Sequence, residues 1–345
     1  MASSSKAAVL TKTEAIELQE FPIPEIGDDE GLLRMESCGM CGTDYEVYYG
    51  HMTPQLPLIL GHEPVGIVEK IGPAASKKWG VKVGDRVALG ATHGIGLTTT
   101  AKRPSLWGGY AQYMYVQPES RVFPISKNIP AAAAATYNAL ATGFEWGVVA
   151  SGLKAGQSIA IMGPGQRGLA SLLATKASGA SFIAITGLGK DSYKLELAKE
   201  LGADLVIDVD KEDPVEAVLS KHPDGVDVVL DTTPYATEPL VQGIRMIKSG
   251  RPGGNVVVAG IKGGNVVSGF CTDDLVRKRA SIRTGGSPSD DAVNSAIKLL
   301  ESGDYPWERL VTHTFPLESA QEAIQTLSGE LAGRKAINVI LLPNG

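Results

Sequence analysis

Past residue 157, short runs of branched apolar residues alternate with stretches where apolar residues return every three or four positions. Ile159 to Met162 predict a strand, and Leu169 to Ala177 predict the helix that follows it. "FIAIT" at 182–186 predicts a second strand. "DSYKLELAKELGA" then predicts a helix with Leu195, Leu197, Ala198 and Leu201 on its apolar side. The alternation continues through "DLVIDVD", "PVEAVLSKH", "VDVVLDT", "EPLVQGIRMIKSG" and "GNVVVAG". Such a pattern predicts a mostly parallel sheet with helices on both faces. A strand-like piece follows Ser281, then a helix across "SDDAVNSAIKLLESG", and the tail predicts a final helix and strand.

The first third reads differently. "KAAVL", "GLLRMESCGM", "VKVGDRVAL" and "GGYAQYMYVQ" predict strands, separated by turn-rich segments such as "PIPEIGDDEG". Long helical patterns are scarce there, so this part is expected to be a compact strand-rich domain. The pattern divides the chain into 1–129, 130–312 and 313–345, the last strand being expected to return to the first domain.

Composition narrows the class. At 345 residues the chain can hold two cores, and 43% hydrophobic with 20% charged residues is ordinary for a soluble protein. A formal charge of −6 with no basic block gives no support to nucleic-acid or anionic-membrane binding. No apolar run is long enough to span a bilayer, and "MASSSKAAVL" lacks the apolar core of a secretion signal. The cysteines are Cys38, Cys41 and Cys271; so few, and odd in number, they fit a reducing, cytoplasmic setting rather than a disulfide framework.

Between the strand at 159 and its helix lies G-x-G-x-x-G: Gly163, Gly165 and Gly168, with Gln166 and Arg167 inside it. In a dinucleotide-binding turn the first glycine permits the turn and the second leaves room for a pyrophosphate. The third lets helix and sheet pack closely. Free N–H groups at the helix start would hold the phosphates.

Two further pieces carry chemistry, "CGMCGTD" from Cys38 to Asp44 and "GHE" from Gly61 to Glu63. A thiolate at Cys41 and an imidazole at His62 suit zinc, though only a fold could bring them together. Cys38 completes a C-x-x-C, which reads either as a redox or metal pair or as a buried core cysteine. No second C-x-x-C exists to complete a knuckle, so the core reading is preferred.

"CGTD", "GHEPVGIVEKIG", "VGDRVAL", "GGYAQYMYV", "GPGQRG" and "LELAKELGAD" occur in an order that resembles the medium-chain dehydrogenase/reductase family, its zinc-dependent alcohol dehydrogenase branch. The resemblance implies an α/β protein: a GroES-like strand-rich catalytic domain plus a Rossmann doubly wound parallel-sheet domain. It implies reversible hydride transfer between NAD(P)(H) and an alcohol or carbonyl carbon in the cleft between the domains. It also implies a homodimer or tetramer paired through strands near 255–286. Cys41 and His62 match the first two catalytic-zinc ligands. Thr43 matches the hydroxyl that relays the alcohol proton, Asp44 an acid behind His62, and Glu63 an acid behind the zinc that sometimes ligates it. Thr142 and Gly143 fall near the nicotinamide, and Gly260 and Ile261 on the loop supporting its carboxamide.

The departures from the branch shape the expectations. The third zinc ligand, usually charged, aligns with Asn138, a neutral amide; zinc would then use Cys41, His62 and Glu63 with either a water or the Asn138 oxygen as a weak fourth group, and an empty, degraded site is the alternative. The segment "GATHGIGLTTTAKRPSLWGG" has no cysteine, so no structural zinc is expected, and Leu106 and Trp107 are expected to pack that lobe. His93 reads as a hydrogen-bonding or surface histidine in preference to one that touches substrate, Glu46 as a proton acceptor or a solvated acid, and His51 as structural. Gly187 stands where an acid usually selects NAD, with Lys190, Asp191 and Lys194 beyond; this tilts the balance toward NADP over NAD. Tyr45, Tyr48, Tyr49, Trp107, Phe144 and Trp146 would make an apolar pocket for an aromatic or bulky substrate if they line the cleft. Two other readings stay open: a metal-independent enoyl, quinone or carbonyl reductase, and a non-catalytic cofactor-binding protein.

Overall fold

A computed structural model describes residues 3–90, 94–331 and 333–345. His93 therefore lies outside the described residues. The chain forms two compact units, one of residues 1–138 with 297–345, the other of residues 139–296.

The first unit is built on a seven-stranded sheet, mostly antiparallel, whose central pair is Gly31–Gly39 against Glu63–Ile71. Leu32, Leu33, Met35 and Cys38 on the first strand are buried, as are Val65 and Val68 on the second. The C-terminal strand Asn338–Leu342 joins this sheet antiparallel to Gly31–Gly39 through Ile340 and Leu341. A second, three-stranded sheet carries Ser4–Lys12 between Ala15–Pro22 and Leu58–Ile59. The helices here are short: Gly42–Tyr48 and Pro73–Trp79 span seven residues each. Leu106 and Trp107 are buried, and Trp107 packs edge-on to Tyr115.

The unit boundaries differ from the pattern-based divisions at 129 and 312, for a packing reason. Ser37 Oγ donates to Ala131 O at 2.7 Å, and Tyr137 Oη donates to Leu89 O at 2.5 Å, so the chain after residue 129 is tied to the strand-rich sheet. On the other side, Ser126 N donates to Glu301 Oε1 at 2.7 Å and Tyr305 is buried.

The second unit is a six-stranded parallel sheet. Its order is Leu205–Asp208, Phe182–Gly187, Ser158–Met162, Val228–Asp231, Asn255–Val258, Ser281–Thr284. Sequence order runs outward from Ser158–Met162 in one direction, then resumes on its other side with Val228–Asp231. This reversal makes a crevice at the carboxyl ends of those two strands, where doubly wound sheets take their ligands. All five residues of Ser158–Met162 are buried, as expected for a central parallel strand. The helix Pro214–Lys221 begins where Asp213 Oδ1 accepts from Val215 N and Glu216 N, which satisfies two otherwise unpaired N–H groups.

Candidate active site

Antiparallel pairing joins the two polar motifs. Gly39 stands opposite Glu63 and Cys38 opposite Pro64, so the turn holding Cys41 and the turn holding His62 leave neighbouring strands at the same end. Asp44, on the first turn of Gly42–Tyr48, locks them together. Its Oδ2 accepts from Cys41 N at 2.9 Å and its Oδ1 from Gly61 N at 3.2 Å. The same Oδ1 lies 3.4 Å from His62 Nδ1, and Asp44 is 1% exposed. A carboxylate so buried needs the two backbone donors, and it stands behind the imidazole on its Nδ1 side.

Cys41 Sγ, one His62 nitrogen and a Glu63 oxygen lie within 4.8 Å of one another. Burial opposes protonation of His62, but Asp44 and Cys41 outweigh it and push its pKa well above the usual imidazole range. Tetrahedral zinc with such ligands has donor–donor edges of about 3.3–3.8 Å, so a modest inward movement of the side chains would complete the set. A thiolate, an imidazole and a carboxylate are donors zinc takes, and their combined charge would balance a divalent ion. The residues fit the metal.

Asn138, at the start of the helix Tyr137–Phe144, donates from Nδ2 to Glu63 Oε1 at 2.7 Å. That bond engages the amide nitrogen with the carboxylate, so Asn138 is one of the groups that hold Glu63. Thr43 Oγ1 lies 3.9 Å from Cys41 Sγ and accepts from it. Cys38 is fully buried and free; burial, with Asp44 nearby, pushes its thiol pKa well up, which keeps it an inert core group. Glu46 Oε2 and His51 Nδ1 are 3.0 Å apart near the surface. Of the aromatics, Tyr48 and Trp107 are sealed in the core, with Tyr48 Oη donating to Glu14 O at 3.1 Å, so neither supplies wall to a pocket. Trp146 Nε1 donates to Gly286 O at 2.8 Å, and Phe144 is mostly buried.

In the second unit the glycine turn follows the central strand. Gly163 has φ +103°, and a Cβ there would sit 2.9 Å from Thr232 Oγ1. A Cβ on Gly168 would lie 1.9 Å from Gly163 O, so the third glycine lets the helix close onto the turn itself. Gly165, the N-cap of Gln166–Ala177, has open space where its Cβ would be. Gln166 and Arg167 occupy the first helical turn. Thr142 is buried; Gly260 passes so close to Thr233 O that a Cβ would be 2.1 Å away, and Ile261 is exposed. Gly187 ends its strand, Lys190 is exposed, and Lys194 Nζ pairs with Asp191 Oδ1 at 2.8 Å.

Sequence reasoning passed over a pair beneath this turn. Lys262 Nζ meets Asp231 Oδ2 at 2.8 Å and donates to Thr233 O at 2.6 Å, while Asp231 is fully buried. The acid closing "VDVVLDT" was a usable signal, because a strand-end carboxylate in a parallel core needs a partner.

A model of the alcohol dehydrogenase GroES-like domain matches residues 27–127, and one of the zinc-binding dehydrogenase matches residues 168–302. A Mycobacterium tuberculosis protein described as a probable alcohol dehydrogenase is 37% identical over 363 residues, covering 98% of each chain. The chain belongs to the medium-chain dehydrogenase/reductase family, in its zinc-binding alcohol dehydrogenase-like branch. Human sorbitol dehydrogenase is 31% identical, over 90% of this chain and 89% of its own. A Sinorhizobium meliloti protein described as a putative zinc-binding dehydrogenase, solved bound to NADP, superposes with a TM-score of 0.85 at 26% identity, covering 99% and 100% of the two chains. Benzyl alcohol dehydrogenase from Acinetobacter calcoaceticus does so at 0.85 and 26%, covering 99% of each. This medium-chain dehydrogenase is an NAD(P)-dependent oxidoreductase of alcohols or carbonyl compounds, with a Cys/His/Glu cluster suited to metal-assisted catalysis. No helix among the described residues is long and apolar enough to cross a membrane.

Proposed function

We propose that Cys41, His62 and Glu63 hold one catalytic zinc ion, and that the chain interconverts an alcohol with its aldehyde or ketone. The observation that carries this is the convergence of the three donors, held from behind by Asp44 and Asn138. Bound zinc would supply Lewis-acid polarisation of the substrate oxygen. Bound nicotinamide would accept or return the hydride. Thr43, beside Cys41, holds and passes the proton of the substrate hydroxyl. Asp44 stands behind His62 and sets its orientation, the ring giving up its extra proton when the metal binds, and Asn138 keeps Glu63 turned for ligation.

For the cofactor, the helix start at Gly165, Gln166, Arg167 and Gly168, with Gly163 behind it, holds the pyrophosphate. Thr142, Gly260 and Ile261 face the nicotinamide, and Gly187, Lys190, Asp191 and Lys194 the adenosine ribose. Lys194 is already committed to Asp191, which leaves Lys190 as the cation for a 2′-phosphate; NADP and NAD are thereby brought closer to parity. The S. meliloti structure with NADP supports the phosphorylated cofactor. Tyr45 and Tyr49 in the first unit, both partly buried, and Phe144 and Trp146 in the second remain the aromatic candidates for contact with a bulky substrate. The edge strand Ser281–Thr284, exposed at all four residues, supports pairing into a homodimer, and three free cysteines support a cytoplasmic setting.

One observation favours the metal-independent reductase: the position of a charged third ligand holds Asn138. Elemental analysis of protein purified without chelator, combined with benzyl alcohol oxidation by NADP and NAD, decides between them. One zinc per chain, with activity lost on chelation and regained with zinc, is the expected result. Full turnover by metal-free protein would transfer the chain to the reductases.

A further inference from the structure

The parallel sheet has a second polar feature at the edge opposite the glycine turn. There a cavity of about 520 Å³ opens between the segment at Gly152 and Lys154, the starts of Val228–Asp231 and Ser281–Thr284, and the loop of Gly250 to Gly253. Ser158–Met162 runs five residues from this edge to the turn, or about 17 Å at the usual strand rise. A pyrophosphate held at Gly165 therefore lies at the other end of the strand.

The cavity lining is basic. Lys154, Lys248, Arg251, Arg279 and Arg283 contribute to it, and among the described residues Asp227 is its one acid. That acid is already satisfied: it accepts from Ser158 N and Ser158 Oγ, each at 2.9 Å, and pairs with Lys248. Arg283 Nη1 donates to Ala150 O at 3.1 Å, which rests its guanidinium against the wall; Arg283 stands on the strand proposed above for homodimer pairing, so Lys154, Arg251 and Arg279 carry the site. Lys154, Arg251 and Arg279 form no ion pair among the described residues. Four uncompensated cations thus share one cavity in a chain whose formal charge is −6. Arg279 has φ +55°, where glycine would be less strained, yet a guanidinium stands there. All four are solvent-exposed, and a cleft lined by one sign of charge concentrates counter-ions of the other sign.

We propose that this cavity binds a small molecule bearing a polyphosphate group, at a site separate from the dinucleotide turn. Arginine forks match phosphate oxygens two at a time, which a compact ammonium cannot do. The volume suits a small-molecule ligand and exceeds what a single phosphate would fill.

The test is calorimetric titration of the full-length protein with inorganic tripolyphosphate while saturating NADP(H) occupies the glycine turn. Expected is one tripolyphosphate per chain, weakened by added salt and at least about tenfold weaker in Arg251→Glu and in Lys154→Glu. Both residues are exposed, so the fold should survive, and dehydrogenase activity without tripolyphosphate should stay unchanged. Orthophosphate and citrate should bind more weakly. Absence of binding at millimolar tripolyphosphate, or affinity unaltered in both variants, would overturn the site. Loss of binding when NADP(H) is present would overturn its separateness, and equal affinity for citrate its phosphate preference.

Discussion

Asn138 Nδ2 donates to Glu63 Oε1 at 2.7 Å, and both residues are buried in the strand-rich unit. Replacing Asn138 with Ala takes a donor from that buried carboxylate, at a cost of about 1–3 kcal/mol. Stability should fall by that order, and zinc retention should weaken because Glu63 is no longer held. Asn138→Asp is predicted to be worse for the apo-protein, since two carboxylates would then meet, but to recover when zinc is added. Urea unfolding of both variants, with and without zinc, reads this out. Equal stability of wild type and Asn138→Ala would remove Asn138 from the positioning role.

Cys41→Ala removes the thiolate from the donor set without touching the second unit. Zinc content should drop well below one per chain, and carbonyl reduction by at least about a hundredfold, since Lewis-acid polarisation is worth several kcal/mol and each ~1.4 kcal/mol is tenfold in rate. NADP(H) affinity, measured by fluorescence titration, should be retained. A metal-free Cys41→Ala protein working at the wild-type rate would end the zinc reading.

Lys262→Met tests the buried pair with Asp231. Removing the cation strands a fully buried carboxylate, and breaking such a pair costs about 3–5 kcal/mol. Because Lys262 also ties Thr233 to the loop of Gly260 and Ile261, cofactor KM should rise while zinc content stays at the wild-type level. Asp231→Asn combined with Lys262→Met should restore much of the stability. If the double variant is no better than Lys262→Met, the loss comes from packing rather than the uncompensated charge.

Asp227 predicts a pH dependence. Burial works against its ionisation, but the Lys248 ammonium and the Ser158 donors win and hold its carboxyl below the usual carboxylate range. A folded pKa below the unfolded one means the contribution is complete above the ordinary Asp value of about 3.9 and is lost as pH falls through the lowered value. Urea midpoints should therefore decline more steeply below about pH 4 in the wild type than in Asp227→Asn. Parallel acid limbs for the two proteins would show that the pair contributes nothing to stability.

The glycine turn was readable in the sequence because its constraints are local. Gly163, Gly165 and Gly168 lie within one turn, and the steric demand on each comes from neighbours close by, such as Gly163 O facing Gly168. The alternation of apolar runs likewise marked the parallel sheet, since period and burial are properties of each segment alone. Cys41 and His62 were readable as ligand types, but only the register of Gly39 opposite Glu63 brought them together. Cross-strand pairing depends on long-range contacts that no local window contains. The same limit hid the Asn138–Glu63 bond, the Lys262–Asp231 pair and the basic cavity, each assembled from segments distant in the chain. It also left the aromatics unsorted: Tyr48 and Tyr49 are neighbours in sequence, yet Tyr48 is sealed in the core while Tyr49 is only partly buried beside Ser328. Residue type and spacing therefore determined which chemistry this chain could carry. Tertiary packing decided which side chains meet, because burial and hydrogen-bond partners are set by what the rest of the fold brings alongside.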